Sequence, residues 1–215
     1  MKQSKISNNV IRRLPRYLRK LDELLAKGEE RISSSELGSQ LGLTSSQIRQ
    51  DFSCFGGFGQ QGYGYNVASL RDAIAGILGL DKGHKAVLIG VGNIGRALLC
   101  NFSFESSGFQ LCCAFDTCPD RVGEDYHGVK VLSMDALESY LDENHIDVAV
   151  LTVPKTAAVE VTKRLVNCGI GAIWNFTNVE IEAPNSNTVI EHMHFSDSLL
   201  ALSYFISKPE GDSEN

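Results

Sequence analysis

The segment Gly90-Val91-Gly92-Asn93-Ile94-Gly95 follows the apolar run Lys85-Ala-Val-Leu-Ile89 and opens a helical pattern. A strand that turns on glycines straight into a helix narrows the possible folds more than any other feature of this sequence. Gly90 permits the tight turn, Gly92 lets a pyrophosphate approach the backbone, and Gly95 lets the helix pack closely on the strand. The helix N-terminus supplies unpaired N–H groups and a partial positive charge to phosphates. Asp116 lies 21 residues past Gly95, at the end of the next apolar run. There a carboxylate accepts the adenosine ribose hydroxyls and repels a 2′-phosphate, so the pattern predicts a dinucleotide-binding (Rossmann) site for NAD(H) rather than NADP(H). Thr152-Val153-Pro154, at the carboxyl end of a later strand, is the third candidate part of the site, because ligands of open α/β sheets sit there. Arg121 reads as a solvated loop charge.

The surrounding rhythm is that of an α/β domain over residues 85–194. Strands are predicted at Ala86–Gly90, Gln110–Phe115, Val129–Leu132, Asp147–Thr152 and Ala172–Phe176, and helices near Asn93–Phe102, Met134–Asp142 and Thr156–Cys168. Short strands that read as continuous apolar runs belong to a parallel sheet covered on both faces. Residues 195–215 hold a last helix, Ser196–Ser207, and a polar tail. Leu199, Leu200, Leu202, Tyr204, Phe205 and Ile206 leave that helix almost no polar face, which predicts burial against a second subunit.

Residues 1–80 differ in charge and pattern. Through Tyr65 there are ten Lys and Arg against six Asp and Glu; the remainder holds ten against twenty. A basic head on an acidic body suggests that the head meets a polyanion. Val10, Ile11, Leu14, Leu18, Leu21, Leu24 and Leu25 keep helical spacing, with a kink or restart expected at Pro15. Ser33–Glu36 and Thr44–Gln47 are capping-box patterns that open two short helices. Phe55–Tyr65, with its glycines and aromatics, reads as a β-hairpin or an ordered loop. Two short helices and a hairpin describe a winged helix-turn-helix. Thr44–Cys54 is its recognition helix, with Ile48 and Phe52 inward and Ser45, Ser46, Gln47, Arg49, Gln50 and Ser53 toward double-stranded DNA. Phe58 and Gly59 within the Phe55–Tyr65 segment join that face. Arg12, Arg13, Arg16, Arg19 and Lys20 are expected to neutralise phosphates.

Other chemistries are less well served. The six cysteines follow neither zinc-ribbon nor disulfide-scaffold spacing, and adjacent Cys112 and Cys113 should face opposite sides of a strand. His192-x-His194 offers two ligands on a probable strand, a poor metal site, and no metal is expected. No histidine is singled out as a hydride-transfer acid or base, so no catalytic residue is assigned. A small NAD-dependent oxidoreductase stays open as an alternative. With no apolar run long enough to cross a bilayer and no signal-peptide core, the chain reads as cytoplasmic.

The motifs Arg-Leu-Pro-Arg-Tyr-Leu-Arg (Arg13–Arg19), Ser-Ser-Glu-Leu-Gly (Ser34–Gly38), Gln-Ile-Arg-Gln-Asp-Phe-Ser-x-Phe-Gly-x-Phe-Gly (Gln47–Gly59), Gly-Tyr-Gly-Tyr (Gly62–Tyr65), Leu-Thr-Val-Pro (Leu151–Pro154) and Asn-Phe-Thr (Asn175–Thr177) stand in order around the fingerprint. Together they resemble the Rex family of redox-sensing transcriptional repressors. The resemblance implies a homodimer whose winged helices hold a palindromic operator, whose Rossmann domains sense NADH against NAD⁺, and whose carboxyl-terminal helices are exchanged between subunits; NADH releases the DNA. It also implies coupling through three positions, here Arg19, Asn101 and His194. The family commonly has Tyr at the second and Asp at the third. Further departures are Gln50 for Lys in the recognition helix, Gln60-Gln61 for basic residues in the wing, and Asn178 for Pro. These departures open a second alternative, a DNA-binding repressor that keeps NAD(H) as a structural, non-sensing ligand.

Overall fold

The computed structural model describes residues 6–56, 59–60, 63–183 and 187–207. The chain divides into two compact units, Met1–Lys82 and Gly83–Asn215.

In the first unit Ser7 caps helix α1 (Asn8–Ala26), which runs unbroken through Pro15. Of the expected kink or restart, the restart does not occur, because one buried face, Val10, Leu14, Tyr17, Leu21 and Leu24, continues on both sides of the proline. Ile11 and Leu25 stay largely exposed, and Tyr17 takes the core place they were expected to share. Strand β1 (Arg31–Ile32), not foreseen, leads into α2 (Ser34–Leu41), whose Ser33–Glu36 capping box forms in full. Helix α3 (Ser45–Ser53) has only half of its box: Thr44 Oγ1 accepts the Gln47 N–H, but the Gln47 side chain turns elsewhere. Strands β2 (Gly59–Gln60) and β3 (Gly64–Asn66) form the hairpin, with β1 adding a third strand in the order β1-β3-β2. Phe58, Gln61 and Gly62 lie outside the described residues. Helix α4 (Val67–Leu78) closes the unit on a left-handed Gly79. The core joins α1, α2, α3 and α4, with Phe52 held edge-on between Tyr17 and Tyr65 at 5.0 Å to each ring.

The second unit alternates β4 (His84–Ile89), α5 (Asn93–Asn101), β5 (Phe109–Asp116), β6 (Asp125–Tyr126), β7 (Val129–Ser133), α6 (Leu137–Glu143), β8 (Val148–Leu151), α7 (Lys155–Asn167), β9 (Ala172–Asn175), β10 (Val189–His192) and α8 (Phe195–Ser207). The sheet order is β10-β9-β8-β4-β5-β7-β6, with every pairing parallel except β6 with β7. The order reverses at β4, which puts the carboxyl ends of β4, β5 and β8 around one crevice. Val87 and Ile89 pack with α6 and α7 on one face, while Leu88 packs with α5 on the other, which is why the strand reads as one apolar run. Cys112 and Cys113 break the expected alternation. The register slips opposite Ala86 and Val87, and both thiols lie on the α6–α7 side. Burial pushes the Cys113 thiol up to about 11, the behaviour of an inert core thiol. The six cysteines are free. No described helix is long and apolar enough to cross a membrane.

Candidate functional site

At the end of β4 the backbone turns at Gly90 with φ +98°, and its N–H bonds the Phe115 carbonyl at 2.8 Å. A Cβ here would lie 3.0 Å from the Thr152 carbonyl, and a Cβ on Gly95 would run into the Gly90 oxygen. The Thr152 hydroxyl donates to the same oxygen, at 2.6 Å. Gly92 is different. It caps α5 with no side-chain bond, and a Cβ there would meet nothing within 4 Å. The space beside Gly92 is part of a cavity of about 550 Å³ lined by Gly90, Asn93, Ile94, Asp116, Val153 and Pro154, among others. Unpaired N–H groups at a helix start, open space at the central glycine and a carboxylate opposite are what the pyrophosphate and ribose of a dinucleotide require. The cradle fits such a coenzyme.

Gly92→Ala should therefore leave thermal unfolding unchanged and weaken NADH about tenfold or more, since its methyl would occupy phosphate space. Gly95→Ala should cost about 1–3 kcal/mol of stability as well, by overpacking. Differential scanning calorimetry beside NADH fluorescence titration separates the two; equal behaviour would contradict the assignment of Gly92.

Val91 enters only through its backbone. Its side chain is buried among Leu88 and Leu99, while its N–H reaches Asp116 Oδ2 at 2.6 Å. Asp116 Oδ1 accepts the Cys118 N–H at 2.7 Å, and Arg121 Nη1 stands 3.1 Å from Oδ2. Burial pushes this carboxyl up, but the N–H groups of Cys118 and Val91 and the Arg121 guanidinium outweigh that and hold Asp116 below the usual carboxylate range. Arg121 is thus no solvated loop charge. It lines the cavity, 35% exposed, against the nearly closed Asp116.

In the first unit, α3 presents Ser46, Arg49, Gln50 and Ser53 outward, with Ser45 half-buried. Arg49 is held by Ser34 and Ser46 at 3.2 and 3.1 Å. Arg12, Arg16 and Arg19 are exposed on α1, and Arg16 also donates to the Leu41 carbonyl. Two residues expected on DNA are tied inward instead. Arg13 makes a two-pronged bond to Asp51, 2.7 Å at each oxygen, and Gln47 Nε2 donates to Asp51 at 2.8 Å. Tyr17 completes the set at 2.6 Å around a carboxylate with no solvent exposure. Sequence reasoning passed over Asp51. Its signal was the i, i+3 spacing from core residue Ile48.

Asn101 turns its amide back to the Ala97 carbonyl. His194 Nε2 lies 2.9 Å from Glu180, beside His192. The fold thus brings a third possible ligand to the histidine pair, with all three donor atoms within 4.8 Å. However, Asn175 is oriented by Thr177 and Val179, so its NH₂ donates to His192 Nδ1. The opposite nitrogen then carries the proton and turns an N–H, not a lone pair, toward Glu180. Asn178 adopts φ +56°, a conformation closed to the proline common in the family at this point.

A family model described as "Putative DNA-binding protein N-terminus" matches residues 5–53, and one described as "CoA binding domain" matches residues 81–179. The redox-sensing transcriptional repressor Rex of Clostridium beijerinckii is 46% identical, over 97% of this chain and 99% of the relative. The Rex repressor of Thermoanaerobacter pseudethanolicus is also 46% identical, over 97% and 93%. The chain belongs to the Rex family of redox-sensing transcriptional repressors. Among solved Rex-family structures, that of RSP in complex with β-NAD⁺ and operator DNA superposes with a TM-score of 0.88 at 46% identity, covering 94% of this chain and 93% of that one. RSP in complex with β-NADH gives 0.87 at 43% identity, covering 94% and 95%. Rex membership accounts for a dinucleotide cradle and a winged helix on one polypeptide.

Proposed function

We propose that this Rex protein is a cytoplasmic homodimer that represses transcription from a palindromic operator and is released from it by NADH. The observation that carries the reading is the pairing, on one chain 46% identical to Rex repressors over 97% of its length, of an Asp116-closed dinucleotide cavity with an outward-facing α3. Asp116 favours NAD(H) over coenzyme A, whose ribose brings a phosphate to this carboxylate. Gly92, Asn93 and Ile94 at the helix start would hold the pyrophosphate, Gly90 and Gly95 would shape the turn and the helix packing that present them, and Val91 would act through its N–H on Asp116; Thr152, Val153 and Pro154 would line the path toward the nicotinamide.

The reading assigns no catalysis. Among the described residues, no histidine lines the cavity, and its charged side chains, Asp116 and Arg121, sit at the adenosine end. For DNA, Arg12 and Arg16 on α1 and Ser45, Ser46, Arg49, Gln50 and Ser53 on α3 are the proposed contacts, with Phe58 and Gly59 in the wing. Arg13 and Gln47 act through Asp51 by fixing how α3 is presented. Arg49→Ala should cost about 1–3 kcal/mol at the operator and spare NADH binding. Normal operator affinity in that variant, measured by anisotropy, would remove α3 as the reading helix.

NADH can shift DNA affinity only by binding one dimer geometry better than the other, and operator DNA must weaken NADH by the same factor. Reduction removes the nicotinamide's positive charge, so an apolar site prefers NADH on desolvation grounds. The deciding experiment selects a duplex from random DNA with the protein itself, then titrates the complex with each nucleotide. Release by NADH and retention in NAD⁺ is the expected result; equal release by both overturns the sensor. Asn101, folded back on its own helix, and His194, held by Glu180, support a second reading in which NAD(H) binds tightly but leaves DNA affinity unchanged.

A further inference from the structure

Helix α5 meets the coenzyme cavity through Asn93 and Ile94, and of these Asn93 brings the polar side chain. A side-chain amide has two ends of nearly the same shape. Its oxygen repels a phosphate, and its NH₂ binds one. Which end faces the cavity decides whether Asn93 helps or hinders an anionic ligand.

Arg96 decides it. This residue stands one turn further along α5, on the same face, and side chains of a helix lean back toward its N-terminus. Arg96 Nη2 donates to Asn93 Oδ1 at 3.1 Å. A guanidinium carries donors only, so it can meet only the amide oxygen. The Asn93 NH₂ is left over, and among the described residues it has no protein partner. Arg96 itself is not among the residues that line the cavity, so its bond to a ligand would have to pass through Asn93.

The place of Arg96 calls for an anion too. It is exposed, and among the described residues it makes no ion pair. Its head lies over the first turn of α5, which holds no acidic residue. The open N–H groups of that turn already carry partial positive charge, so a cation there is unfavourable until an anion arrives.

We propose that Arg96 is a positioning residue for the coenzyme's pyrophosphate: it holds the Asn93 oxygen so that the amide NH₂ faces the phosphates. The proposal rests on the cavity being an NAD(H) site. No chemical step is involved; binding alone is at issue.

The test is titration of the full-length protein with NADH, with ADP-ribose, which keeps the pyrophosphate, and with adenosine, which lacks it. The proteins are the wild type, Arg96→Met, Arg96→Lys, Asn93→Ala and the double variant Asn93→Ala, Arg96→Met. Binding is followed by NADH fluorescence and by displacement of NADH, in about 1 M salt, where the Debye length is about 3 Å and a charge acting through solvent is screened. Arg96→Met should weaken NADH and ADP-ribose about threefold to tenfold and change adenosine by less than about twofold, because a freed amide must be ordered again on binding. Arg96→Lys keeps one donor for the Asn93 oxygen and should stay within about twofold of the wild type. In the Asn93→Ala background, Arg96→Met should add less than about twofold, since the group it positions is gone. Calorimetric melting establishes that each variant is folded, and exposed Arg96 is expected to be replaced without loss. Equal weakening of adenosine, an undiminished effect of Arg96→Met in the Asn93→Ala background, or no effect of Arg96→Met at all overturns the proposal and leaves the NAD(H) site standing. If the wild type binds neither NADH nor ADP-ribose, the coenzyme reading itself fails and the proposal with it.

Discussion

Asp51→Ala should unfold the amino-terminal unit selectively, at a cost of about 3–5 kcal/mol, the price of removing one partner from a buried ion pair. The carboxylate has no solvent exposure and serves Arg13 twice, Tyr17 and Gln47. Its removal strands the Tyr17 hydroxyl in the core and leaves the Arg13 guanidinium without its partner. A domain of this size has about 5–15 kcal/mol in all, so the loss is a large share of it. Trp174, the single tryptophan, lies in the second unit and reports that unit alone. In urea, the helical signal from α1 to α4 should be lost earlier in the variant, while the Trp174 transition stays put and NADH still binds. Coincident wild-type transitions would refute the argument.

The same carboxylate sets an acid limit. Burial pushes Asp51 up, but the bonds from Arg13, Tyr17 and Gln47 prevail and its folded-state value lies below the ordinary one. A depressed carboxyl stabilises the fold fully above its unfolded value of about 4, and that contribution fades as the pH falls toward the folded value. The urea midpoint of the first unit should be level from neutrality down to about pH 5 and fall in stronger acid.

What the sequence revealed, and what it hid, divides along the range of the interactions. The fingerprint was legible because every demand on it is local: Gly90, Gly92 and Gly95 answer to a turn, a phosphate and a helix within six residues. The strands β4, β5, β7, β8 and β9 were legible because a sheet covered on both faces needs unbroken apolar runs. The Asp51 network was not, since Arg13 and Asp51 are 38 residues apart and both look like surface charges until α1 and α3 are packed. Arg121 was misread for a related reason: only the curl of its loop returns it to Asp116. Glu180 joined the histidines through a loop whose path has no periodicity, and the Cys112 bulge arose from strand pairing, which no alternation rule anticipates. Pro15 shows tertiary packing overriding a local breaker.

Charging helix α8 should separate the proposed dimer and with it the grip on a palindrome. Residues Phe195 to Ser207 form a regular helix with none of its side chains buried within its own chain. Leu199, Leu200, Leu202, Tyr204, Phe205 and Ile206 are each more than half exposed, Ile206 at 82%. Full burial of one such side chain is worth about 1.5–3 kcal/mol, so six of them outweigh or match an association cost of about 4–15 kcal/mol. The second unit offers a matching deficit. Helices α6 and α7 cover one face of its sheet, whereas among the described residues the other face is packed by α5, and there Phe102, Phe104, Val150 and Trp174 line an open apolar groove. Two copies can cover one another's surplus by a twofold exchange that hides both. The double variant Leu199→Asp, Leu202→Asp should sediment as a monomer and still bind NADH, because the cradle is built within one chain. Each half of a palindrome would then be held singly, and operator affinity should drop by about a hundredfold to ten-thousandfold as the linked second contact is lost. A variant that remains dimeric, or a monomer that grips the duplex as tightly as the wild type, would show that α8 has some other use.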